Sequence, residues 1–301
     1  MPEDIKSTQG NAASVAESAA ALDRVLKSMG SVAVALSGGV DSAVVAAAAR
    51  KALGDRAIAF TGDSASVARL EMGHARDVAS LVGIRHVILP TREFETPAYV
   101  ANDGSRCYHC KSTLYDTALK HVESWGVDYI ASGANLDDLG DYRPGIQAAA
   151  ERKIRHPLIE AGLNKEHVRA LARHFDLPIW DKPASPCLSS RIAPGVEATP
   201  ERVARVEAAE ILLRSLGYPV CRVRVHAEDL ARVELPFESL AGFHSAGHHV
   251  LVHAKLVELG FRFVTIDLKG FQSGSLNSLV PLGIRAKFQA PQDNQHAEAT
   301  P

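Results

Sequence analysis

The six residues 37–42 read SGGVDS and combine residue types that hold phosphate groups. The two glycines let the backbone pass close to a ligand, because neither carries a Cβ atom. The serine hydroxyls can donate hydrogen bonds to phosphate oxygens, and the aspartate can help to hold a metal ion or cap a helix. The sequence therefore predicts a phosphate-binding loop whose members are Ser37, Gly38, Gly39, Asp41 and Ser42.

Two elements must hold this loop in place. The apolar run VAVAL at residues 32–36 precedes it, and an alanine-rich helical pattern begins near Ala43. This order predicts a buried parallel strand, a tight turn and a helix N-terminus, whose unpaired N–H groups favour an anion. The loop lacks the lysine of a P-loop and the glycine spacing of a dinucleotide-binding fingerprint. It resembles the pyrophosphate loop of the ATP pyrophosphatase superfamily; an ordinary Ser/Gly turn before a capped helix is the alternative.

Residues at the ends of two further predicted strands extend the site. Thr61, Asp63 and Ser64 end the strand that begins at residue 57, and ligands of open α/β sheets bind beyond such strand ends, so we expect them to line the adenosine. A strand at 129–131 leads into GANLDDLGDYRPG, whose carboxylates could hold Mg²⁺ on ATP and whose arginine, Arg143, could hold an anionic group. A solvated acidic turn is the alternative. The predicted ATP-binding members of this turn are Gly133, Asp137 and Asp138.

Three of the four cysteines lie in segments that could carry sulfur chemistry. Cys107 and Cys110 form a Cys-x-x-Cys motif, which fits half of a zinc site, a redox dithiol or part of an iron–sulfur site. Cys187 lies in the irregular, proline-bracketed segment WDKPASPCLSSRI, where Lys182 and Arg191 could lower the pKa of its thiol. The alternative for Cys187 is a packed small side chain without a chemical role.

The composition limits the class of protein. The chain has 301 residues, of which 46% are hydrophobic, enough for a large core and about two domains. The net charge of −2 indicates no basic surface for nucleic acid. The sequence has no run of about 18 apolar residues, so it predicts no membrane span. Because four cysteines do not indicate a secreted disulfide scaffold and the polar N-terminus does not resemble a signal peptide, we expect a cytoplasmic protein.

The alternation of strand and helix patterns predicts an α/β fold, a doubly wound parallel sheet with a smaller C-terminal α+β domain. In the C-terminal domain, residues 220–226 alternate as a strand does, with Arg222 and Arg224 on one face and Cys221 packed on the other. The two arginines could bind a nucleotide phosphate, or they could form a solvated basic face. The predicted divisions are a disordered N-terminus at 1–12, a pyrophosphate-loop domain at 13–195, a substrate and oligomerisation domain at 196–285 and a disordered tail at 286–301.

The chain resembles the LarE family of ATP-dependent sulfur transferases from about residue 25 to residue 277. The resemblance rests on GANLDDLGDYRPG, on the run from HPL at residue 156 to NKEHVR, on GFRFVTIDLKGFQSGSLN and above all on WDKPASPCLSSRI. It implies an adenine nucleotide alpha hydrolase-like fold and a homo-oligomer. It also implies that ATP adenylates a carboxylate of pyridinium-3,5-biscarboxylic acid mononucleotide and that sulfur then replaces AMP. The product is the thiocarboxylate precursor of the nickel-pincer nucleotide.

The resemblance also implies roles for single residues. Cys187 falls on the sulfur-donating position and, with Cys107 and Cys110, on the ligand set of a [4Fe–4S] cluster that carries an extra sulfide. In other members, that cysteine gives up its own sulfur and becomes dehydroalanine. We expect the cluster here, because all three cysteines are present. Catalytic roles are expected for Cys187, Asp41 and Arg191, and substrate contacts for Arg143, Arg191, Glu210, Arg222, Arg224 and Glu234.

Two rival functions follow from the same residues. One is another enzyme of the superfamily, such as a tRNA 2-thiouridine synthase or an amidotransferase similar to GMP or NAD synthetase. The tRNA enzyme would carry a more basic surface, and the chain has no glutaminase domain. The other is a non-catalytic nucleotide-binding protein or an iron–sulfur carrier. Production of AMP that depends on the pyridinium carboxylate distinguishes our hypothesis from both.

Overall fold

A computed structural model describes residues 3–139, 142–272 and 274–288, with side chains from residue 15 onward. The first part of the chain forms a four-stranded parallel sheet in the order β3-β2-β1-β4. Its strands are β1 (Val32–Ala35), β2 (Ala57–Asp63), β3 (Arg85–Pro90) and β4 (Tyr129–Ala131). The chain moves outward from β1 to β3 and then returns to place β4 on the other side of β1. This reversal makes the sheet doubly wound, which confirms the predicted fold class.

Alternate residues of β1 enter two separate hydrophobic cores, one on each face of the sheet. Val32 and Val34 pack into the first core with the alanine-rich helix after the loop, and Ala33 packs into the second core with Tyr115. The helices of this part are α1 (Glu3–Met29), α2 (Val40–Leu53), α3 (Arg69–Val82), α4 (Pro97–Val100), α5 (Arg106–Leu119), α6 (Val122–Trp125), α7 (Pro144–Glu151), α8 (Pro157–Glu160) and α9 (Lys165–His174).

Helix α1 extends further toward the N-terminus than the sequence predicted. It begins at Glu3, whereas the sequence predicted a disordered segment over residues 1–12. No proline occurs between residues 3 and 29, so no residue type that breaks a helix interrupts this stretch. Residues 1 and 2 lie outside the described residues, as does the predicted C-terminal tail from residue 289 onward.

The C-terminal part has a second sheet of three strands in the order β5-β6-β7. Strands β5 (Arg222–His226) and β6 (Leu230–Glu234) are antiparallel, and β7 (Phe263–Ile266) runs parallel to β6. Cys221, Val223 and Val225 are fully buried, so the predicted alternation of β5 is confirmed. The helices are α10 (Pro200–Ser215), α11 (Leu240–Ser245), α12 (His248–Glu258) and α13 (Leu282–Lys287). The mixture of strand directions and helices is that of a small α+β unit.

The segment between the two sheets is hydrogen-bonded to both parts. Ala193 donates a backbone hydrogen bond of 2.9 Å to Val225 of β5. The buried side chain of Asn102 donates to the carbonyl groups of Ala193 and Val196, at 2.9 Å each. A boundary at residue 195 stays a prediction. Within the described ranges, no helix has both the length and the apolar composition that crossing a membrane requires.

Candidate active site

The predicted phosphate loop lies between β1 and α2 and is held by its own serines. The Ser42 hydroxyl accepts a hydrogen bond of 3.1 Å from the Ser37 backbone N–H and lies 3.1 Å from the Gly39 carbonyl oxygen. Gly38 has a φ of +77°, and a Cβ atom there would lie 2.9 Å from the backbone oxygen of Glu71. Gly39 forms the N-cap of α2, so the unpaired N–H groups of the first turn open onto the loop. This geometry suits an anion.

The loop after β4 packs directly against this site. A Cβ atom on Gly133 would lie 2.6 Å from the backbone nitrogen of Ser42, so only glycine permits the contact. Asn135 is 1% exposed, and its amide donates a hydrogen bond of 2.8 Å to Asp41 Oδ1. Burial raises the pKa of Asp41, although the hydrogen bond from Asn135 opposes the shift. Sequence reasoning did not select Asn135, but it lies inside the acidic-turn motif.

The two aspartates of the acidic turn are bonded within the protein. Asp137 accepts a hydrogen bond of 2.8 Å from the Lys165 backbone N–H at the start of α9. Asp138 accepts one of 3.1 Å from the Asn135 backbone N–H and forms an ion pair of 3.0 Å with Arg143. These contacts hold the turn beside the phosphate loop. Contact of Asp137 and Asp138 with Mg²⁺, and of Arg143 with substrate, stays a prediction.

The residues after β2 divide between a buried position and an open cleft. Thr61 is buried, and its hydroxyl donates a hydrogen bond of 2.6 Å to the Leu36 carbonyl group, which places it beneath the site. Asp63 and Ser64 line a cleft of about 410 Å³, which α10 closes from the other side. Within this cleft, Asp63 forms an ion pair of 2.8 Å with Arg69. The cleft lies beyond the carboxyl end of β2, where nucleotides bind in sheets of this class.

The three predicted cysteines lie within electrostatic reach of one another. Cys107 and Cys110 lie in the first turns of α5, and Cys187 directly precedes the short 3₁₀ helix Leu188–Arg191. Burial raises the pKa of the Cys110 thiol, and the charges of Cys187, Glu93 and Cys107 raise it further. Burial disfavours the charge on Arg106, but Cys107 and Cys187 outweigh this effect and raise its pKa. Thiols from two distant segments therefore share one electrostatic environment with a buried cation.

Cysteine thiolates are the ligands that an iron–sulfur cluster takes. Among residues 15–139, 142–272 and 274–288, no three His, Cys, Asp or Glu side chains are grouped closely enough to hold one ion. The chemistry of Cys107, Cys110 and Cys187 fits such a cluster, and Arg106 and Lys111 lie within electrostatic reach of these thiols.

A relative whose name states its product matches almost the whole chain. A pyridinium-3,5-bisthiocarboxylic acid mononucleotide synthase of Lactiplantibacillus plantarum is 36% identical over 278 residues, which cover 92% of this chain and 99% of that protein. The chain belongs to the LarE family. An uncharacterized protein of Synechocystis sp. is 45% identical over 259 residues, which cover 86% of this LarE chain and 94% of that protein.

Two more distant matches locate the shared superfamily domain. A family model described as asparagine synthase matches residues 18–102, the part that holds the phosphate loop and β2. A tRNA-specific 2-thiouridylase of Azorhizobium caulinodans is 32% identical over 193 residues, which cover 51% of this LarE chain and 49% of that protein. The resemblance to an ATP-dependent sulfur transferase with a pyrophosphate loop is thereby confirmed.

The predicted substrate residues of this LarE chain form two buried ion-pair networks. Arg191 donates to Glu210 at 2.9 Å, and Glu210 also pairs with Arg214 at 2.8 Å. Arg224, which is buried rather than solvated, pairs with Glu234 at 2.9 Å. Both glutamates have no exposed surface, and Arg232 completes the second network at 3.1 Å from Glu234. In these networks each predicted arginine, Arg191 or Arg224, is paired with a predicted glutamate. The contact of all four predicted residues with substrate stays a prediction.

Arg222 differs from its neighbours on the strand. Burial lowers the pKa of Arg222, and the nearby charges of Arg191 and Arg224 lower it further. Its guanidinium lies 5.2 Å from the centre of the Phe271 ring and donates to the Cys221 carbonyl oxygen at 2.7 Å. An anion beside Arg222 would relieve the repulsion among the three arginines. Arg222 thus forms a half-buried basic site on β5. The segment that carries Cys187 contacts this strand through Ile192.

Glu93 is a further site residue that sequence reasoning missed. It is 2% exposed, and its Oε1 accepts hydrogen bonds from Ser64 at 2.5 Å and Ser66 at 2.9 Å. Its second oxygen has no hydrogen-bond partner among the described residues. The Ser66 carbonyl group in turn accepts a hydrogen bond of 2.8 Å from the Leu188 N–H, beside Cys187. No motif surrounds Glu93, so its position could only come from the fold.

Proposed function

We propose that this chain adenylates the carboxylates of pyridinium-3,5-biscarboxylic acid mononucleotide and replaces AMP with sulfur, which gives the thiocarboxylate precursor of the nickel-pincer nucleotide. The observation that carries the proposal is the geometry of the pyrophosphate loop at the start of α2, in a chain that also places Cys107 and Cys187 within electrostatic reach of Cys110. Similarity over 92% of the chain to a synthase of the bisthiocarboxylic acid supports it. ATP and a pyridinium mononucleotide are therefore the proposed substrates.

In the first step, a carboxylate oxygen of the substrate attacks the α-phosphorus of ATP, and the bond to pyrophosphate breaks. The leaving group carries negative charge, which the N–H groups at the start of α2 and Mg²⁺ bound to ATP would stabilise. Asp137 and Asp138 lie on the adjoining turn, where carboxylates can bind that Mg²⁺. The adenosine would occupy the cleft beside Asp63 and Ser64.

The half-buried basic site around Arg222 suits the phosphate of the pyridinium mononucleotide. Arg191 and Arg224 are already paired with carboxylates, whereas Arg222 contacts a carbonyl oxygen and an aromatic ring. A guanidinium binds phosphate through two parallel hydrogen bonds. We therefore assign the main phosphate contact to Arg222, with Arg191 and Arg224 shaping its surroundings.

In the second step, sulfur attacks the acyl carbon of the adenylate, and AMP leaves with the electron pair of the broken C–O bond. A [4Fe–4S] cluster held by Cys107, Cys110 and Cys187 would leave one iron free to carry an extra sulfide as the sulfur donor. In the alternative, the Cys187 thiolate forms a thioester, loses its Cα proton and breaks its own Cβ–S bond. That route leaves dehydroalanine at Cys187, so the protein would act only once.

The test uses full-length protein purified and reconstituted with iron and sulfide without oxygen. With ATP, Mg²⁺, sulfide and the pyridinium biscarboxylate, we expect AMP, pyrophosphate and more than one thiocarboxylate per protein. Cys187→Ser should still release pyrophosphate but form no thiocarboxylate. A protein that lacks iron, reacts once and gains a dehydroalanine at Cys187 would contradict the cluster. Pyrophosphate release that requires tRNA or ammonia instead would contradict the proposed function.

Two accompanying expectations come from the family resemblance and from the composition of the sequence. We propose that the protein is a homo-oligomer and that it works in the cytoplasm. Light scattering of the purified protein tests the first, with a monomer as the contradicting result. Fractionation of the source cell tests the second, with recovery in a membrane or extracellular fraction as the contradicting result.

A further inference from the structure

Lys182 links the segment that carries Cys187 to the phosphate loop. Its ammonium nitrogen lies 2.9 Å from the Gly38 carbonyl oxygen, 2.7 Å from Glu71 Oε2 and 2.7 Å from His74 Nδ1. The side chains of Lys182 and Glu71 are each 14% exposed. An ammonium group has three N–H donors and no acceptor, so all three donors have partners here. His74 Nδ1 is the acceptor of its bond, because lysine can only donate.

The partners of Lys182 already belong to one rigid unit. Gly38 packs against α3 so closely that a Cβ atom would lie 2.9 Å from the Glu71 backbone oxygen and 3.1 Å from the Ala75 nitrogen. Glu71 and His74 lie one turn apart on the same helix. The carbonyl group of Gly38 is therefore fixed by α3, and Lys182 attaches to both at once.

Cys187 lies between this attachment and a second one. Residues 183–186 are exposed and form neither helix nor strand. On the far side, the Leu188 N–H donates a hydrogen bond of 2.8 Å to the Ser66 carbonyl group. Arg191 donates one of 2.9 Å to the Cys187 carbonyl oxygen. The position of Cys187 relative to the phosphate loop thus depends on Lys182 at one end of the segment.

We infer that Lys182 is a positioning residue that keeps the sulfur-transfer segment against the phosphate loop while the substrate is adenylated. This inference rests on the proposed function. Its chemical purpose is to exclude a competing reaction: water can attack the acyl carbon of the adenylate, release AMP and return the substrate to its carboxylate. Sulfur wins this competition when it is already placed near the acyl carbon.

The test compares Lys182→Met with wild type in the anaerobic assay and measures AMP and thiocarboxylate in the same sample. Wild type should form close to one AMP per thiocarboxylate. In Lys182→Met, the ratio of AMP to thiocarboxylate should rise about tenfold, because a displaced nucleophile loses rate while adenylation continues. Lys182→Arg keeps the charge beside Glu71 and should restore most of the coupling. Lys120→Met makes the same chemical change at an exposed position and should leave the ratio at the wild-type value.

Two outcomes would overturn the inference. One is an unchanged ratio with both products lowered together, which would make Lys182 a residue for stability alone. The other is equal uncoupling in Lys182→Met and Lys120→Met. If Lys182→Met fails to fold, Glu71→Gln provides the test, since it removes the ion pair but keeps the lysine; it should raise the ratio by a smaller factor. Failure of the proposed function is distinct, because wild type itself would then form no AMP with the pyridinium substrate.

Discussion

The carboxyl group of Asp41 lies beside the phosphate loop, where burial raises its pKa above the usual 3.8. A group with a higher pKa in the folded protein binds more protons there than in the unfolded chain. The free energy of unfolding therefore falls as the pH rises from 3.8 through the folded-state pKa of Asp41. The residue weakens the fold at neutral pH in order to place a negative charge in the site.

Asp41→Asn removes that charge without changing the size of the side chain. We expect the variant to have a higher free energy of unfolding than wild type at pH 7, with the difference shrinking toward pH 4. Urea unfolding across this pH range measures it. The same variant should lose pyrophosphate release. A difference in stability that stays constant with pH would show that the charge of Asp41 is not its cause.

Glu210 holds two arginines without any exposure to solvent. Glu210→Gln leaves Arg191 buried without its counter-charge, so we expect a loss of about 3–5 kcal/mol in the free energy of unfolding. Glu258→Gln is the matched control, because its ion pair with Lys255 is exposed and should contribute about 0.5 kcal/mol or less. Denaturant titration of the two variants compares them. Equal losses would contradict the assigned role of the buried pair.

Helix α5 and the turn after β4 show how elements make the site. The sequence did not predict α5, because only Arg106, Tyr115 and Ala118 are buried along its length and the apolar period is weak. The strands β1, β2 and β4 were predicted, since each is a short apolar run. The site therefore combines predictable strand ends with a helix whose position only packing reveals.

The close packing between the β4 turn and the phosphate loop allows a direct test. Gly133→Ala places a methyl group 2.6 Å from the Ser42 nitrogen, so we expect a loss of about 1–3 kcal/mol in stability and weaker ATP binding. Gly73→Ala is the control inside α3, because no atom lies within 4 Å of the Cβ atom that it would add. Its free energy of unfolding should rise by about 0.5–1 kcal/mol. Thermal unfolding with and without a non-hydrolysable ATP analogue measures both. Unimpaired nucleotide stabilisation in Gly133→Ala would contradict the close contact.

The two sheets of the molecule meet at the cysteine site, and Asn102 is central to their connection. It is 2% exposed, adopts a φ of +50° and bonds both Ala193 and Val196. Its Oδ1 also accepts a hydrogen bond of 2.5 Å from Arg106, next to Cys107. One side chain therefore joins the segment between the sheets to the start of α5.

Asn102→Gly keeps the backbone conformation but removes these bonds, whereas Asn102→Ala also strains the backbone. We expect Asn102→Gly to lose about 1–3 kcal/mol, because buried carbonyl groups lose their donor, and Asn102→Ala to lose more. The amount of iron bound after anaerobic reconstitution should fall in both variants, because Cys107 and Cys187 would no longer be held in fixed positions relative to each other. A variant with full iron content but reduced stability would contradict a role of Asn102 in positioning the cysteines.

The sequence by itself determined the parallel sheet, the phosphate loop and the family, because strand period, glycine position and motif spacing depend on neighbours along the chain. Tertiary structure alone decided that Arg191 and Arg224 are neutralised by buried glutamates and that Lys182 bonds Gly38, 144 positions away. Such contacts depend on how helices and strands pack. The periodicity of a sequence reflects neighbours along the chain, so it does not show which distant side chain will form hydrogen bonds with a buried group.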